Sequence, residues 1–181
     1  MKISICVPCY NEEKNVELMY KSLKRITEKN KKYVFEFIFT DNKSTDGTRT
    51  IIKKLARKDK IVKGIFLSRN FGSESSGQAA LNYSRGDAFI ALSCDFQDPP
   101  EIISKFIEKW EKGYEVVMGS YTNNQEIFLM NIARKMFYLV FKKIANTDLP
   151  TNVTGFGLLD KKVVLALRSM PEKYRFARGL T

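Results

Sequence analysis

The chain has 181 residues and 44% of them are hydrophobic, so we expect one folded domain with a sizeable core and exclude wholesale disorder. A net charge of +11, from 31 basic and 20 acidic residues, favours an anionic partner such as nucleotide phosphates, a membrane surface or nucleic acid. The absence of histidine excludes His-based triads and His-ligated zinc. Three cysteines do not form a disulfide framework and indicate a reducing compartment.

Strand-like and helix-like segments alternate from the first residues onward. Apolar runs rich in β-branched and aromatic residues predict strands at 3–7, 34–40, 61–67, 88–92 and 115–118. Helical spacing and turn residues predict helices at 12–27, 48–57, 73–84 and 101–111. Repeated β–α units predict an α/β fold, a mainly parallel sheet with helices on both faces. No linker or internal repeat divides residues 1–181, so we expect one domain.

The most informative segment, residues 93–101 (Ser-Cys-Asp-Phe-Gln-Asp-Pro-Pro-Glu), directly follows the fourth predicted strand. Asp95 comes where that strand reaches the sheet edge, which is where open α/β sheets bind their ligands. Asp95 and Gln97 are two residues apart, so an extended backbone would present both on the same side. Two neighbouring oxygen ligands predict a site for a hard divalent cation that also holds phosphate oxygens.

Two other predicted strands also end in polar or aromatic side chains. After the first strand, which we expect Pro8 to end, Tyr10 could stack on a nucleobase and Glu12 could accept hydrogen bonds from base or ribose. The alternative for this segment is an ordinary loop before a capped helix. Asp41 leaves the second strand as Asp95 leaves the fourth, and could bind a base or a ribose hydroxyl. For Asp46 we prefer a turn and helix cap.

Arg69, which follows the third strand, has two interpretations. It could meet a phosphate, but we prefer a structural ion pair with Asp87 or Asp95. Together, the strand ends predict a nucleotide site with a metal beside the phosphates. No Gly-x-Gly-x-x-Gly or Walker-type loop follows the first strand, which argues against a dinucleotide enzyme or a P-loop NTPase.

A competing signal is the Cys-x-x-Cys spacing of Cys6 and Cys9, which occurs at redox sites of thioredoxin-like proteins. Cys6 falls inside the predicted strand, where a buried thiol is simply a small apolar residue, so we reject the redox reading. A second ambiguous segment is 127–145, an apolar run with a basic face. It predicts an amphipathic helix that either lies in a membrane interface or packs on the sheet.

The motifs at 8–13, 41–48, 68–72 and 95–101 occur in the order seen in family 2 glycosyltransferases. The chain most resembles the polyprenyl-phosphate sugar transferases, and segments 155–160 and 175–180 extend the similarity to the C-terminus. The resemblance implies an A-type glycosyltransferase fold, a nucleoside-diphosphate sugar donor, a polyprenyl-phosphate acceptor and Mg²⁺ or Mn²⁺. Members usually continue into transmembrane helices, so we expect the full-length protein to continue beyond Thr181 at the cytoplasmic face of a membrane.

The resemblance also assigns roles by position. The nucleoside would be held by Pro8, Tyr10, Glu12 and Asp41, with the backbone of Cys94 near the ribose. The metal would be held by Asp95 and Gln97, with Asp95 also counted as catalytic. Arg175 and the catalytic Arg178 would approach donor or acceptor phosphates. Expected partners are the sugar nucleotide, the lipid carrier, a membrane surface and a second copy of the chain. Nucleic acid is not expected, because the basic residues lack an interleaved aromatic pattern.

Three positions depart from the family pattern. Ser93 replaces the first acidic residue of the Asp-x-Asp metal motif, and Asn42-Lys43 replaces Asp-Gly after the second strand. Gly155 and Gly157 replace an aspartate and an arginine of Gly-Asp-Phe-Arg-Leu. A lipid-phosphate acceptor is already anionic and needs no strong base, which makes the loss at Gly155 tolerable. The alternatives are transfer to a saccharide hydroxyl and a sugar-nucleotide-binding protein without turnover.

Overall fold

A computed structural model describes residues 1–120 and 153–171. The strands in this part of the chain are β1 (Lys2–Cys9), β2 (Val34–Asp41), β3 (Val62–Phe66), β4 (Ala88–Ala91), β5 (Val116–Ser120) and β6 (Val153–Asp160). The helices are α1 (Val16–Lys29), α2 (Thr48–Lys58), α3 (Ser73–Tyr83), α4 (Ile103–Glu111), which a 3₁₀ turn at Pro100–Ile102 precedes, and α5 (Lys161–Ser169).

The six strands form one sheet in the order β3-β2-β1-β4-β6-β5. Strand β1 pairs in parallel with β2 and β4, and β2 pairs in parallel with β3. Strand β6 is antiparallel to both of its neighbours, β4 and β5. The predicted mainly parallel α/β sheet is therefore confirmed. Strand β6 was not predicted, because its two glycines weaken the local strand signal and its pairing on both sides decides the conformation.

Helices cover both faces of the sheet, as expected. On one face, α1, α2 and α4 bury side chains including Met19, Ile52 and Phe106 against β1, β2 and β4. On the other face, α3 and α5 pack around residues such as Leu81 and Leu167. The alternating orientation of strand side chains explains this division, since neighbouring residues of one strand enter different cores.

Most element boundaries shift by one or two residues from the prediction, and two of the differences have an identifiable local cause. Strand β1 continues through Pro8 to Cys9, although we expected proline to end it. The carbonyl of Cys6 accepts from Leu92 N–H, so Cys6 directs its backbone polar groups toward β4. Pro8 lies two residues later, and its nitrogen, which carries no hydrogen, therefore also faces the β4 side. Strand β4 has already ended at that point, and no ladder bond is lost. Helix α1 begins at Val16 rather than at residue 12, after a turn closed by the Glu12 carbonyl.

None of the helices within residues 1–120 and 153–171 is both long enough and apolar enough to cross a bilayer. The predicted amphipathic helix at 127–145 lies outside the described residues.

Candidate active site

The carboxyl ends of β1, β2 and β4 meet at one edge of the sheet. Cys9 is paired with Asp41 across β1 and β2, and the Cys9 carbonyl accepts from Asn42 N–H at 2.9 Å. On the other side of β1, Leu92 N–H donates to the Cys6 carbonyl at 2.9 Å, just beyond the last residue of β4. The predicted site residues Pro8, Tyr10, Glu12, Asp41, Cys94, Asp95 and Gln97 therefore follow adjacent strands onto the same edge.

Side chains connect the two loops that leave β1 and β2. Asn11 Oδ1 accepts from Thr45 N–H at 2.9 Å, and Glu12 N–H donates to Thr48 Oγ1 at 2.7 Å. Asp46 Oδ1 accepts from Thr48 N–H at 3.0 Å, which confirms the predicted turn, while the N-cap position of α2 is occupied by Gly47 rather than Asp46. These bonds hold the Tyr10 loop, whose tyrosine ring is 46% exposed, in a set position at the edge.

Asp41 is fully buried and already has partners. Its Oδ2 accepts from Arg49 Nε at 2.8 Å and its Oδ1 accepts from Ser44 N–H at 3.0 Å. Arg49 also donates to the Leu67 carbonyl at 3.1 Å and lies over the Phe66 ring. A nucleotide that reached Asp41 would have to share these oxygens, each of which can accept a second hydrogen bond.

The metal-ligand prediction assumed an extended backbone after β4, and that geometry is wrong. Strand β4 ends at Ala91, and Phe96 has a φ of 61°, which turns the chain between the two predicted ligands. Asp95 Oδ1 accepts from Gln97 N–H at 3.2 Å and from Ser93 Oγ at 2.7 Å. A local side-chain to backbone bond of this kind competes with an extended strand and favours a turn.

The remaining oxygen of this carboxylate, Asp95 Oδ2, receives no hydrogen bond from the described residues. Asp95 is half-buried and Gln97 is exposed, so both can reach a ligand at the edge. A carboxylate oxygen and an amide oxygen suit Mg²⁺ or Mn²⁺, which use few protein ligands when substrate phosphates complete the coordination. Within the described part of the chain, no group of three acidic or cysteine side chains could hold a metal without such help.

Arg69 does not form the ion pair that we considered. Its guanidinium lies 4.3 Å from the centre of the Phe71 ring, and both side chains are exposed on the loop after β3. Asp87 instead pairs with Lys161 at 3.4 Å, at the opposite edge of the sheet. Arg69 therefore presents its charge at the edge that carries the site, as the phosphate interpretation requires.

The sequence matches the model of glycosyl transferase family 2 over residues 4–167. The chain belongs to this family. A prophage bactoprenol glucosyl transferase homolog of Escherichia coli K12 is 36% identical over 181 residues, which are 99% of this chain and 59% of the relative. An uncharacterized glycosyltransferase of Synechocystis is 35% identical over 181 residues, 99% of this chain and 57% of the relative. The chain thus spans a little over half the length of these relatives.

The fold is that of A-type glycosyltransferases, as the resemblance implied. Glucosyl-3-phosphoglycerate synthase from Mycobacterium tuberculosis, solved with Mn²⁺, UDP and phosphoglyceric acid, superposes with a TM-score of 0.64. It is 15% identical, and the match covers 90% of this chain and 56% of that one. At this identity the similarity concerns the fold.

The Cys-x-x-Cys spacing of Cys6 and Cys9 does not form a redox site. Cys6 and Cys9 lie on opposite faces of β1, in different hydrophobic cores, and both are buried. Burial raises the pKa of the Cys6 thiol to about 12. A hydrogen bond with Cys94, together with burial, raises the pKa of the Cys9 thiol well above its usual range. Neither is a thiolate at neutral pH, so our rejection of the redox reading agrees with the structure.

The C-terminal family motif lies on β6 and is described in part. A side chain at Gly157 would have its Cβ 2.6 Å from Met118 Sδ and 2.8 Å from the Val117 carbonyl, so the arginine of the family pattern does not fit here. Gly155, where the family has an acidic residue, is exposed on the same strand. The two predicted phosphate contacts, Arg175 and Arg178, lie outside the described residues.

Sequence reasoning overlooked Arg49, which neutralises Asp41. A signal was present, because a basic residue in the first turn of a helix opposes the helix dipole and needs another reason to be there. The sequence analysis also described Ser93 only as the replacement of an acidic metal ligand. In the structure, the Ser93 hydroxyl donates to Asp95 and orients it.

Proposed function

We propose that residues 1–181 form a single catalytic domain that transfers a sugar from a nucleoside-diphosphate sugar to a polyprenyl-phosphate lipid. The observation that carries this proposal is the convergence of Tyr10, Asp41 and Asp95 at one sheet edge, in a family 2 chain. The bactoprenol glucosyl transferase names of its relatives support the lipid-phosphate acceptor.

Each side chain at the edge has a role in donor binding. The exposed Tyr10 ring offers a stacking surface for the base, and we assign Pro8, on β1, and the Cys94 backbone, after β4, to the same nucleoside. Glu12 and the Arg49-neutralised Asp41 accept hydrogen bonds from the base or the ribose. Asp95 and Gln97 would hold Mg²⁺ or Mn²⁺, which when bound neutralises the diphosphate and makes it a better leaving group.

The transfer step exchanges one bond at the anomeric carbon. An oxygen of the acceptor phosphate attacks that carbon from the side opposite the diphosphate, and a new carbon–oxygen bond forms. The bond to the diphosphate breaks, and the nucleoside diphosphate leaves with the electron pair. The attacking oxygen is anionic before the reaction, so exposed Gly155 need not be an acid–base residue. Arg175 and Arg178 are proposed to approach the phosphates of donor or acceptor.

The lipid acceptor places the reaction at a membrane surface, and the three free cysteines agree with the reducing cytoplasmic side. A saccharide hydroxyl acceptor would instead need a general base at the anomeric centre. Asp41 cannot readily serve, since it is fully buried and both of its oxygens already accept hydrogen bonds, from Arg49 and from Ser44 N–H.

The donor site is tested by calorimetric titration of the protein with UDP, GDP and their sugar conjugates, with and without Mn²⁺. We expect Mn²⁺-dependent binding of one nucleotide, lost in Asp95→Asn and retained in Glu108→Gln. Glu108 is exposed on α4, so its substitution removes the same charge away from the site. Absence of binding by the wild-type protein would refute the donor site.

The acceptor is tested with the labelled sugar nucleotide and either polyprenyl phosphate or an oligosaccharide. We expect the label to be transferred to the polyprenyl phosphate. Labelling of the oligosaccharide alone would show that the acceptor is a hydroxyl, and donor binding with neither product would show a binding protein without turnover.

A further inference from the structure

Helix α2 carries the largest net charge among the helices that the structure describes. Helix α2 contains five basic and no acidic residues among its 11 positions. Helix α1 contains four basic and two acidic residues, and α4 contains two of each. Helix α2 therefore supplies +5 of the net charge of +11, in a short part of the chain.

Four of these charges share one exposed surface. We call it the α2 basic face, and it consists of Thr50, Lys53, Lys54, Arg57 and Lys58. All five residues are exposed, while Ile52 and Leu55 on the opposite side of the helix are buried in the core. The face extends about 12 Å along the helix axis. Its side chains surround an open depression of about 440 Å³.

The charges of the α2 basic face are not neutralised by the described residues. Elsewhere, Lys21 pairs with Glu17 at 3.0 Å and Lys24 pairs with Asp59 at 3.1 Å. No carboxylate within residues 1–120 and 153–171 forms such a pair with the four cations of the face. Glu17 is the acidic group near Lys54 and Lys58, and its own partner is Lys21.

The spacing of these cations is unfavourable in the absence of a partner. Lys53 and Arg57, and likewise Lys54 and Lys58, are four residues apart, where like charges on a helix repel each other. A solvated surface helix more often mixes the two signs, as α4 does in this chain. An anion bound along the face would relieve the repulsion. The geometry and charge therefore indicate a docking surface for a negatively charged partner.

We propose that the α2 basic face docks the domain on an anionic bilayer surface, through the phosphates of lipid headgroups. This partner rests on the proposed function, because an enzyme whose acceptor is a lipid must work at a bilayer. Helix α2 begins at the edge that carries the site, where Thr48 Oγ1 accepts from Glu12 N–H. The five residues of the face include no aromatic side chain on which a nucleic-acid base could stack, and the neighbouring Phe66 ring already lies beneath the Arg49 and Lys53 cations, which favours lipid over nucleic acid.

The test compares two triple variants that lose the same charge. Lys54→Gln/Arg57→Gln/Lys58→Gln alters the α2 basic face, and Lys105→Gln/Lys109→Gln/Lys112→Gln is the matched control on and just after α4. All six residues are exposed, so both variants should fold. Binding of the 181-residue chain is measured by sedimentation with vesicles of phosphatidylcholine alone, or mixed with an equal amount of phosphatidylglycerol.

We expect the wild-type chain to bind only the vesicles with phosphatidylglycerol. The α2 variant should bind them roughly 100-fold more weakly, since each basic residue near an anionic surface contributes about 1 kcal/mol. The vesicle affinity of the α4 control should fall by less than about threefold, because salt screens the charges of α4 from the bilayer surface. Equal losses in both variants, or no vesicle binding by the wild type, would overturn the proposal.

Two further measurements separate the alternatives. If the α2 variant loses binding to an RNA oligonucleotide but keeps wild-type binding to vesicles, the partner is nucleic acid and the proposal fails. UDP binding with Mn²⁺ is measured on the same proteins and should not change in the α2 variant. If the wild-type chain binds nucleotide but not vesicles, the docking proposal is refuted and the proposed donor site is not. One that binds vesicles through α2 but no nucleotide supports docking and refutes the proposed donor site.

Discussion

Asn42 Nδ2 donates a hydrogen bond to Asn70 Oδ1 at 2.9 Å and thereby joins the end of β2 to the loop after β3. Asn42 Oδ1 accepts from Phe71 N–H at 2.9 Å, and Asn70 Oδ1 also accepts from Gly72 N–H at 2.9 Å. Asn42 is only 4% exposed. Its amide both donates and accepts, whereas the aspartate that the family usually has here could only accept. The departure at Asn42 therefore holds in place the loop that carries Arg69.

Asn42→Asp should destabilise the protein by about 2 kcal/mol, because it removes the donor and buries a charge. Asn70 could rotate to donate to the new carboxylate, but its oxygen would then leave Gly72 N–H without a partner. The measurements are urea denaturation and hydrogen exchange at Phe71 and Gly72, which should become faster. The control is Asn82→Asp at an exposed position of α3, where the oxygen that accepts from Gln78 is kept, with an expected change within about 0.5 kcal/mol. Equal stability of the two variants would contradict this role of Asn42.

Ser93→Ala should weaken Mn²⁺-dependent nucleotide binding about threefold to tenfold, because Asp95 loses the hydroxyl that orients it. Ser93→Asp, which restores the acidic residue of the family, should lower the Mn²⁺ concentration needed for half-maximal binding. Calorimetry at several Mn²⁺ concentrations measures both effects. Ser169→Ala, at the exposed end of α5, is the control and should bind as the wild type does. If Ser93→Ala bound as tightly as that control, Ser93 would not position Asp95.

Gly157→Ala should lower the free energy of unfolding by about 1–3 kcal/mol, because the new Cβ would overlap Met118 Sδ and the Val117 carbonyl. Gly77→Ala in α3 is the matched substitution, since within residues 1–120 and 153–171 no heavy atom outside its chain neighbours and its own helix backbone lies within 4 Å of its Cβ position. It should stabilise the protein by about 0.5–1 kcal/mol, as alanine is the better helix former. Urea denaturation compares the two, and effects of the same sign would contradict the close approach of β5 and β6.

The buried carboxylate of Glu36 should make the free energy of unfolding fall in acid. Its side chain is 2% exposed. It accepts a hydrogen bond from Ser4 Oγ at 2.6 Å and forms ion pairs with Lys63 Nζ at 2.5 Å and Lys2 Nζ at 2.6 Å. Burial by itself raises the pKa of Glu36, but the lysines, Ser4 and the Arg85 N–H outweigh it and lower the pKa from 4.5 to about 2. The folded state thus holds the proton less tightly than the unfolded state. Its stabilisation is present above pH 4.5 and is lost as the pH falls toward 2.

The difference in pKa corresponds to up to about 3 kcal/mol at neutral pH. Glu36→Gln should therefore be less stable at pH 7 and should lose less stability than the wild type between pH 4.5 and 2. Urea denaturation at a series of pH values measures the slope. Glu28→Gln, on the exposed side of α1, should keep the wild-type slope. A steep acid transition that persisted in Glu36→Gln would assign it to other carboxylates.

The local patterns were sufficient for most of the fold and for the sheet edge at which the predicted site residues meet. Apolar runs and turn residues predicted five strands and the intervening helices, because each buried strand and each amphipathic helix has its own periodicity. They also predicted that Asp41 and Asp95, at the ends of β2 and β4 on either side of β1, meet at one edge, since parallel strands end on the same side. Strand β6 was not predicted, because Gly155 and Gly157 have little local preference for a strand.

What the sequence by itself determined is the alternation of elements and the kinds of side chain at each strand end, because both depend on residues close together in the chain. The tertiary structure decided which distant groups meet. Asn42 and Asn70 are 28 residues apart, and Trp110 Nε1 donates to Asp160 across 50 residues. It also decided the turn at Phe96, where the Asp95 side chain bonds the backbone and overrides extension. Such contacts form only when the sheet brings the loops together, and no local pattern encodes them.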